Sequence, residues 1–218
     1  MSGHSKWHNI QKTKGAQDAK RAAAFTKISK EMIVAVKEGG GIADPAYNSR
    51  LATVITKAKA ANMPNDNIKR VLEKAAASGS GDNYETITYE GHGPGGSLGT
   101  SGCVSWSFDR KGVIVIDNED EELDEDTVMM DALDAGASDF QPEDGCFTVY
   151  TDPDDINTVA KALEDKGYKF DSAQIEMVPQ TYQKLDKQED RDNMEKMLDL
   201  FEEDDDVQNV WHNWDQEE

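Results

Sequence analysis

Apolar residues recur at three- and four-residue spacing between residues 18 and 77, a pattern that predicts amphipathic helices. The first helix is predicted over 18–37 and ends at the glycines 39–41, where a left-handed C-cap costs least. A second is predicted from Asp44-Pro45, because an N-cap followed by proline suits a first helical turn. A third follows a break at 62–65. The side chains predicted to pack inward are Phe25, Ile28, Met32, Val36, Tyr47, Leu51, Val54, Ile55, Ala58, Ile68, Val71, Leu72 and Ala75.

After residue 82 the hydrophobic pattern shortens to a period of two, which predicts β-strands. Small residues at 75–82 separate the two patterns and predict a linker. Between residues 113 and 178 the predicted elements follow the order βαββαβ, the split βαβ arrangement of ferredoxin-like domains. These elements are predicted at 113–117, 122–135, 138–141, 146–150, 154–166 and 173–178.

Further predicted elements flank this unit on both sides. Strands are predicted at 84–90 and 104–108 around a glycine-rich turn at 92–96, and a helix at 190–201 precedes a strand at 207–212. The simplest arrangement packs the two flanking parts together. The βαββαβ unit then interrupts a second α/β domain.

The distribution of charge along the chain favours a polyanionic partner. The chain carries 23 Lys and Arg against 44 Asp and Glu, a formal net charge of −21. Residues 1–80 hold 14 basic and 6 acidic residues, whereas residues 81–218 hold 9 and 38. A basic head on an acidic body is typical of a head that contacts nucleic acid. An acidic surface that only serves solubility stays the alternative.

The basic residues near the N-terminus are the candidate nucleic-acid contacts. Residues 1–16 are predicted to form an extended basic arm, and we expect Lys20, Lys27 and Lys30 of the following helix to be exposed together. Lysine and arginine neutralise phosphates, and an aromatic ring stacks on a base or ribose. In the competing interpretation Trp7 is an apolar anchor and the lysines form a solvated face. The candidate residues are Lys6, Trp7, His8, Lys12, Lys14, Lys20, Arg21, Lys27 and Lys30.

No other motif predicts a catalytic, metal or cofactor site. His4 and His8 lack a third ligand nearby, and neither cysteine has a neighbouring cysteine. The acidic runs at 117–126 and 202–206 lack the order of a calcium loop and predict solvated segments, although masking of the basic arm by such acids stays open. We expect a protein that is not an enzyme and uses neither cofactor nor metal.

The sequence also bears on cellular location. No run of about 18 apolar residues occurs, and the first residues contain no apolar core of a secretory signal. The low cysteine content is typical of a reducing compartment. We therefore expect a cytoplasmic protein with no membrane partner.

Several motifs, spread in order over nearly the whole chain, resemble one known family. They are Gly3–Trp7, Asn9–Ile10, Ala16–Arg21, Phe25–Lys27, Gly39–Gly41, Ala60–Ile68, Tyr89–Gly96, Asp109–Gly112, Tyr150–Pro153 and Asp205–Val210. These motifs are similar to those of the YebC/PmpR family. The resemblance implies an α+β protein with an N-terminal three-helix domain and two ferredoxin-like α/β domains, the third inserted in the second.

The predicted domain boundaries combine this resemblance with the hydrophobic pattern. The basic arm spans 1–16 and the helical domain spans 17–78. A discontinuous α/β domain spans 79–111 and 185–218, and the inserted ferredoxin-like domain spans 112–184.

The chain departs from the family pattern between Gly96 and Ser97. There the pattern has a few dozen additional residues that form a hydrophobic strand and a helix, so the second domain lacks a strand and helix here. A true loss, an omission from the recorded sequence and an element supplied by a partner all stay open. A loss would open one edge of the sheet of that domain.

The resemblance implies a role in gene expression, in one of two forms. Members of the family are described as DNA-binding transcriptional regulators, and others as ribosome-associated translation factors that ease synthesis of proline-rich stretches. Both forms place a basic head against nucleic acid, either DNA or the RNA of the ribosome and tRNA. We expect the transcriptional form, with the translational form as the alternative. A module that only binds protein through the acidic body is a third class.

Overall fold

The structure is a computed structural model that describes residues 14–77, 85–94, 96–118, 122–204 and 206–215, with residues 14–20 as backbone only. Most of the predicted N-terminal arm lies outside the described residues. Within them, three helices come first, and helices then alternate with mostly antiparallel strands. The predicted α+β class is confirmed. None of the described helices is both long and apolar enough to cross a bilayer.

Three helices form the N-terminal domain: α1 (Lys14–Glu38), α2 (Ser49–Ala60) and α3 (Asn65–Ala77). Apolar side chains from all three meet in one core, because each helix presents an apolar stripe. All but one of the predicted inward residues belong to this core. The buried members are Ile28, Met32, Ala35, Val36, Leu51, Val54, Ala58, Met63 and Ile68.

The predicted start of the second helix is wrong. Asp44 closes a turn instead, accepting the backbone N–H of Ala46 at 2.9 Å, and the predicted core residue Tyr47 is 79% exposed. Asn48 is the N-cap, because its buried Oδ1 accepts the backbone N–H of Leu51 at 3.0 Å. The predicted proline-led turn therefore belongs to the connection and not to the helix.

The segment that follows the helical domain forms little regular structure. Its strands β1 (Gly91–His92) and β2 (Ser97–Leu98) pair antiparallel across the predicted turn. The predicted strands at 84–90 and 104–108 are wrong. In the described chain residues 85–90 join no sheet, and Ser105–Ser107 form a single 3-10 turn.

The Glu90 carboxylate explains the turn at 102–107. It accepts backbone N–H groups from Gly102 at 2.6 Å, Val104 at 2.8 Å and Ser105 at 2.9 Å. Donors committed to a side chain cannot also pair with a neighbouring strand. The chain therefore turns where a strand was expected.

The βαββαβ unit is confirmed, with longer strands than predicted. Its six elements are β3 (Phe108–Asp117), α4 (Glu125–Ala135), β4 (Asp139–Glu143), β5 (Cys146–Thr151), α5 (Ile156–Asp165) and β6 (Phe170–Pro179). The sheet is antiparallel with strand order β4-β5-β3-β6. This order is that of the ferredoxin-like fold expected from the sequence.

The core of this unit lies between the sheet and helices α4 and α5. Its buried members include Ile114, Ile116, Val128, Phe147, Val149, Ile156, Val159 and Leu163. Gly112 permits the start of α5 to approach β3, since a Cβ there would lie 2.9 Å from that of Ile156. Leu133 on α4 is exposed, because the buried stripe of this helix runs through Val128 and Ala132.

The last elements are β7 (Gln183–Lys184), α6 (Gln188–Glu203) and β8 (Trp214–Asp215). The predicted strand at 207–212 is wrong, since these residues form no strand. The last strand of the described chain, β8, begins at Trp214 and pairs with β7. A Cβ added at Gly93 would lie 3.2 Å from the sulfur of Met194 on α6. The two flanking parts of the chain therefore touch, as the interrupted-domain arrangement requires.

The helical domain rests against the ferredoxin-like unit through α2 and α5. Asn157 on α5 donates to Thr53 Oγ1 at 3.1 Å, and Thr56 Oγ1 donates to Asn157 Oδ1 at 2.9 Å. Ala60, at the end of α2, packs against the core of the unit. This contact sets the position of α1 relative to the acidic body.

Candidate nucleic-acid interface

The structure describes the side chains of three of the nine candidate residues. Arg21, Lys27 and Lys30 all lie on α1, whose backbone also includes Lys14 and Lys20. The remaining four candidates lie outside the described residues: Lys6, Trp7, His8 and Lys12. The geometry of the site therefore concerns the helical part of the predicted interface.

Helical spacing places Lys27, Lys30 and Val34 on one stripe of α1, at positions i, i+3 and i+7. The apolar core of the domain lies on the opposite side, at Ile28 and Met32. Val34 is nevertheless only 6% exposed, although it is not a member of that core. Another part of the chain therefore covers the lysine stripe.

The acidic segment at 202–206 provides part of this cover. Lys27 Nζ donates to the backbone carbonyl of Glu202 at 3.1 Å, and Lys30 Nζ pairs with Asp206 Oδ1 at 2.8 Å. The Lys30 side chain is 22% exposed as a result, whereas that of Asp206 is 85% exposed. The expectation that these lysines are exposed is wrong for Lys27 and Lys30, because each lies against an acceptor on the acidic segment.

A third lysine extends the contact between head and body. Lys57 on α2 pairs with Glu31 Oε2 at 3.0 Å and donates to Asn209 Oδ1 at 3.2 Å. Glu31 lies on α1 beside Lys30. The chain after α6 is therefore held on the α1–α2 surface at two successive places, Asp206 and Asn209.

Exposed basic residues also occur on α2 and α3, outside the predicted set. Lys59, Lys69 and Arg70 are exposed, and Lys69 lies 3.9 Å from Glu73 one turn away. The prediction missed them because it followed the density of basic residues in the first thirty positions. The net charge of residues 1–80 was the available signal for a wider basic surface.

The other sequence motifs have structural roles where they are described. Asp124, in the acidic run at 117–126, caps α4 by accepting the Thr127 hydroxyl at 2.7 Å and the Thr127 N–H at 3.0 Å. These two hydrogen bonds lower the pKa of its carboxyl. Burial raises the pKa of Cys146 to about 11, so its thiol is a poor nucleophile at neutral pH. The described residues contain no group of three side chains arranged to hold a metal ion.

A cleft of about 320 Å³ lies between the end of α2 and the ferredoxin-like unit. It is lined by side chains of both signs, with Lys59 and Lys169 facing the same space as Asp117, Glu164 and Asp171. This mixture gives no single charge for a ligand to recognise. The lysine stripe of α1 and the exposed basic residues of α2 and α3 are the stronger candidate surface.

Comparison with known protein families covers almost the whole chain. Residues 5–78 match the family domain described as the TACO1/YebC protein N-terminal domain. Residues 94–214 match the one described as the TACO1/YebC second and third domain. Residues 79–93, which follow the helical domain, lie between the two matches.

Curated relatives carry regulatory names. A "probable transcriptional regulatory protein" of Clostridium botulinum is 50% identical over 241 aligned positions, covering 98% of this chain and 96% of the relative. A protein of the same name from Agathobacter rectalis is 47% identical over 244 positions, covering 99% and 100%. These alignments are longer than the 218 residues of the chain, so each relative has at least 23 positions without a counterpart here. This agrees with the strand and helix that the second domain lacks.

A solved structure supports the same assignment. The conserved hypothetical protein Aq1575 from Aquifex aeolicus superposes with a TM-score of 0.78 at 34% identity, covering 91% of each chain. Fold, domain order and sequence agree across these comparisons. On this evidence the chain belongs to the TACO1/YebC family.

Proposed function

We propose that this protein is a nucleic-acid-binding regulator of gene expression that acts without catalysis. Its basic head contacts the polymer, and its acidic body stays away from it. The observation that carries the proposal is the segregation of charge, with 14 basic against 6 acidic residues in 1–80 and 9 against 38 afterwards. The regulatory names of the relatives support the same class of function.

The expected contacts are with phosphates more than with base edges. Lysine dominates the candidate set, and lysine meets a phosphate as a point charge. Sequence readout in the major groove relies on two-bond contacts to base edges, and asparagine or glutamine on adenine is one of its main forms. Binding should therefore depend on the shape and charge of the polymer, a mode that suits duplex DNA and structured RNA.

We propose DNA as the physiological polymer, in line with the transcriptional names of the relatives. The decisive experiment is ultraviolet crosslinking in cells that express the full chain, followed by sequencing of the captured nucleic acid. Enrichment of promoter DNA would support the transcriptional role. Enrichment of ribosomal RNA or tRNA would replace it with the translational role, in which the same basic head binds the ribosome.

A charge-neutralising variant tests whether the captured nucleic acid binds through the proposed surface. Arg21→Gln combined with Lys69→Gln removes two exposed charges of the head and should lower the yield of crosslinked polymer. The matched control, Lys161→Gln with Lys196→Gln, removes two charges from the body and should leave the yield unchanged. Equal yields from both variants and the parent chain would contradict binding through the head.

A further inference from the structure

The lysine stripe of α1 already holds two oxygen acceptors from the chain itself. Asp206 offers a carboxylate oxygen to Lys30 at 2.8 Å, and Glu202 offers a carbonyl oxygen to Lys27 at 3.1 Å. A nucleic-acid phosphate would present oxygens to the same Nζ atoms. Glu202 and Asp206 thus occupy positions that the oxygens of a phosphate backbone would take.

The carbonyl of Glu202 is a suitable acceptor because of its place in α6. It lies in the last turn of that helix, where carbonyls lack helical N–H partners and the helix dipole is negative. The last turn contains no basic residue of its own. Lys27 of α1 therefore supplies the positive charge that favours this helix end.

The contact between the acidic segment and the two lysines of α1 can be broken without disturbing the fold. Asp206 is 85% exposed and the pair it forms with Lys30 faces water, so salt and a competing polyanion can both weaken it. The segment lies 175 residues or more beyond the lysines in sequence, at the end of a helix and not within the core. Its release would not require the helical core to unfold.

We propose that the acidic segment at 202–206 is an autoinhibitory element that competes with nucleic-acid phosphates for Lys27 and Lys30. This inference rests on the proposed function, since it describes regulation of the same basic surface. Nucleic acid binds fully when the segment moves off α1, and the segment returns when the polymer leaves. A partner that captured residues 202–206 would raise the affinity for nucleic acid.

The test uses Asp206→Asn in the full chain, with Asp165→Asn as the matched control. Asp165 pairs with Lys161 one turn away on the same helix, α5, also at 2.8 Å, and both side chains are exposed. The probes are a 20-base-pair DNA duplex and a folded RNA hairpin at low salt. Asp206→Asn should bind one or both about two- to fivefold more tightly than the parent chain, the range expected when one exposed ion pair is lost.

A second measurement reports on the contact without any nucleic acid. Acetic anhydride labelling followed by mass spectrometry measures how accessible each lysine amine is. Asp206→Asn should increase the labelling of Lys30, whereas Asp165→Asn should increase that of Lys161 only. In a Lys30→Gln background, Asp206→Asn should give no further gain in affinity.

The outcomes separate this inference from the proposed function. Unchanged affinity for Asp206→Asn, in a chain that binds the probes, would overturn autoinhibition and leave the proposed function intact. No binding by any variant to either probe would overturn both, even if Lys30 labelling rises. A loss of thermal stability in Asp206→Asn with no gain in affinity would show that the ion pair only joins the domains.

Discussion

At the scale of single residues, polar side chains decide where the chain changes direction. Asn48 is buried and makes three hydrogen bonds: Nδ2 donates to the carbonyls of Ala35 at 2.9 Å and Ile42 at 3.0 Å, and Oδ1 accepts the Leu51 N–H. One side chain therefore ends α1, holds the glycine connection and starts α2. A Cβ at Gly39 would overlap the Asn48 amide, so this approach requires glycine.

Replacing Asn48 by Ala should destabilise the helical domain by about 1–3 kcal/mol, the cost of a lost cap together with carbonyls left without donors. Urea unfolding followed by circular dichroism measures this loss as a lower midpoint. Ser49→Ala is the matched control, because Ser49 is an exposed neighbour at the start of α2. Equal midpoints for the two variants would contradict the role of Asn48.

Glu90→Gln should loosen the turn at 102–107, because a neutral amide accepts backbone N–H bonds more weakly than a carboxylate. These bonds hold the pKa of the Glu90 carboxyl below its usual 4.5. These hydrogen bonds therefore protect the backbone amides of the turn from exchange above pH 4.5. The protection is lost as the pH falls through the lowered pKa of Glu90. Hydrogen exchange at the Val104 and Ser105 amides measures it.

The control for this prediction is Glu85→Gln, which changes an exposed carboxylate in the same connecting segment. It should leave exchange at Val104 and Ser105 unaltered. If Glu90→Gln exchanges these amides as slowly as the parent chain, the carboxylate is not what holds the turn.

At the scale of elements, the spacing of apolar residues predicted the features that depend on local sequence, namely the buried faces of helices and the order of helices and strands. The helical faces of α1 to α3 and the order βαββαβ follow from apolar spacing, and both are confirmed. The predicted strand at 84–90 failed because a strand exists only with a hydrogen-bonding partner, which the period of two does not reveal. The start of α2 failed because both Asp44 and Asn48 suit an N-cap, and only tertiary contacts decide between them.

The candidate site shows the same division. The register of α1 was enough to place Lys27 and Lys30 together on the side opposite the apolar core. Their partners, Glu202 and Asp206, come from the far end of the chain, and no local pattern connects the two segments. Tertiary packing also makes the two lysines half-buried, which their helical register alone does not predict.

An ion pair joins α4 to the chain that leads into β6, and it predicts a pH dependence of stability. Asp131 accepts from Lys166 Nζ at 2.5 Å and from the Tyr168 hydroxyl at 2.7 Å. The hydrogen bond from Lys166, then that from Tyr168, holds the pKa of Asp131 below 3.8. Because the pKa of Asp131 is lower in the folded chain than in the unfolded chain, its ionised carboxylate stabilises the fold above pH 3.8. This stabilisation is lost as the pH falls through the folded-state pKa of Asp131.

Asp131→Asn should therefore lower the urea midpoint at pH 7, and the difference from the parent chain should shrink as the solution is acidified toward pH 3. Asp134→Asn, an exposed position on the same helix, is the control and should show no such pH-dependent difference. A difference for Asp131→Asn that stays constant from pH 7 to pH 3 would contradict the ionic origin of the effect.

At the scale of the whole molecule, charge and fold separate along the same boundary. The helical domain belongs to the basic part of the chain, whereas the ferredoxin-like unit and the elements that flank it belong to the acidic part. Like charges repel, so the body should orient a bound polyanion toward the head. The body also approaches the head through residues 202–209, which places negative groups at the edge of the binding surface.

This segregation predicts the salt dependence of binding. The logarithm of the association constant of the full chain for duplex DNA should fall linearly with the logarithm of salt concentration, with a slope of about −0.9 for each phosphate neutralised. Lys27→Gln with Lys30→Gln should make the slope shallower by about one unit per lost contact, for every DNA sequence tested. Fluorescence anisotropy across a salt series measures the slope.

The control removes two lysines from the acidic body, Lys161 and Lys196, by changing each to Gln. Because these side chains lie outside the basic head, the slope should match that of the parent chain. If the body variant flattened the slope while the α1 variant did not, phosphates would be meeting the body, despite its 38 acidic residues. A uniform loss of affinity across DNA sequences in the α1 variant would instead identify Lys27 and Lys30 as phosphate contacts, since base readout would weaken some sequences more than others.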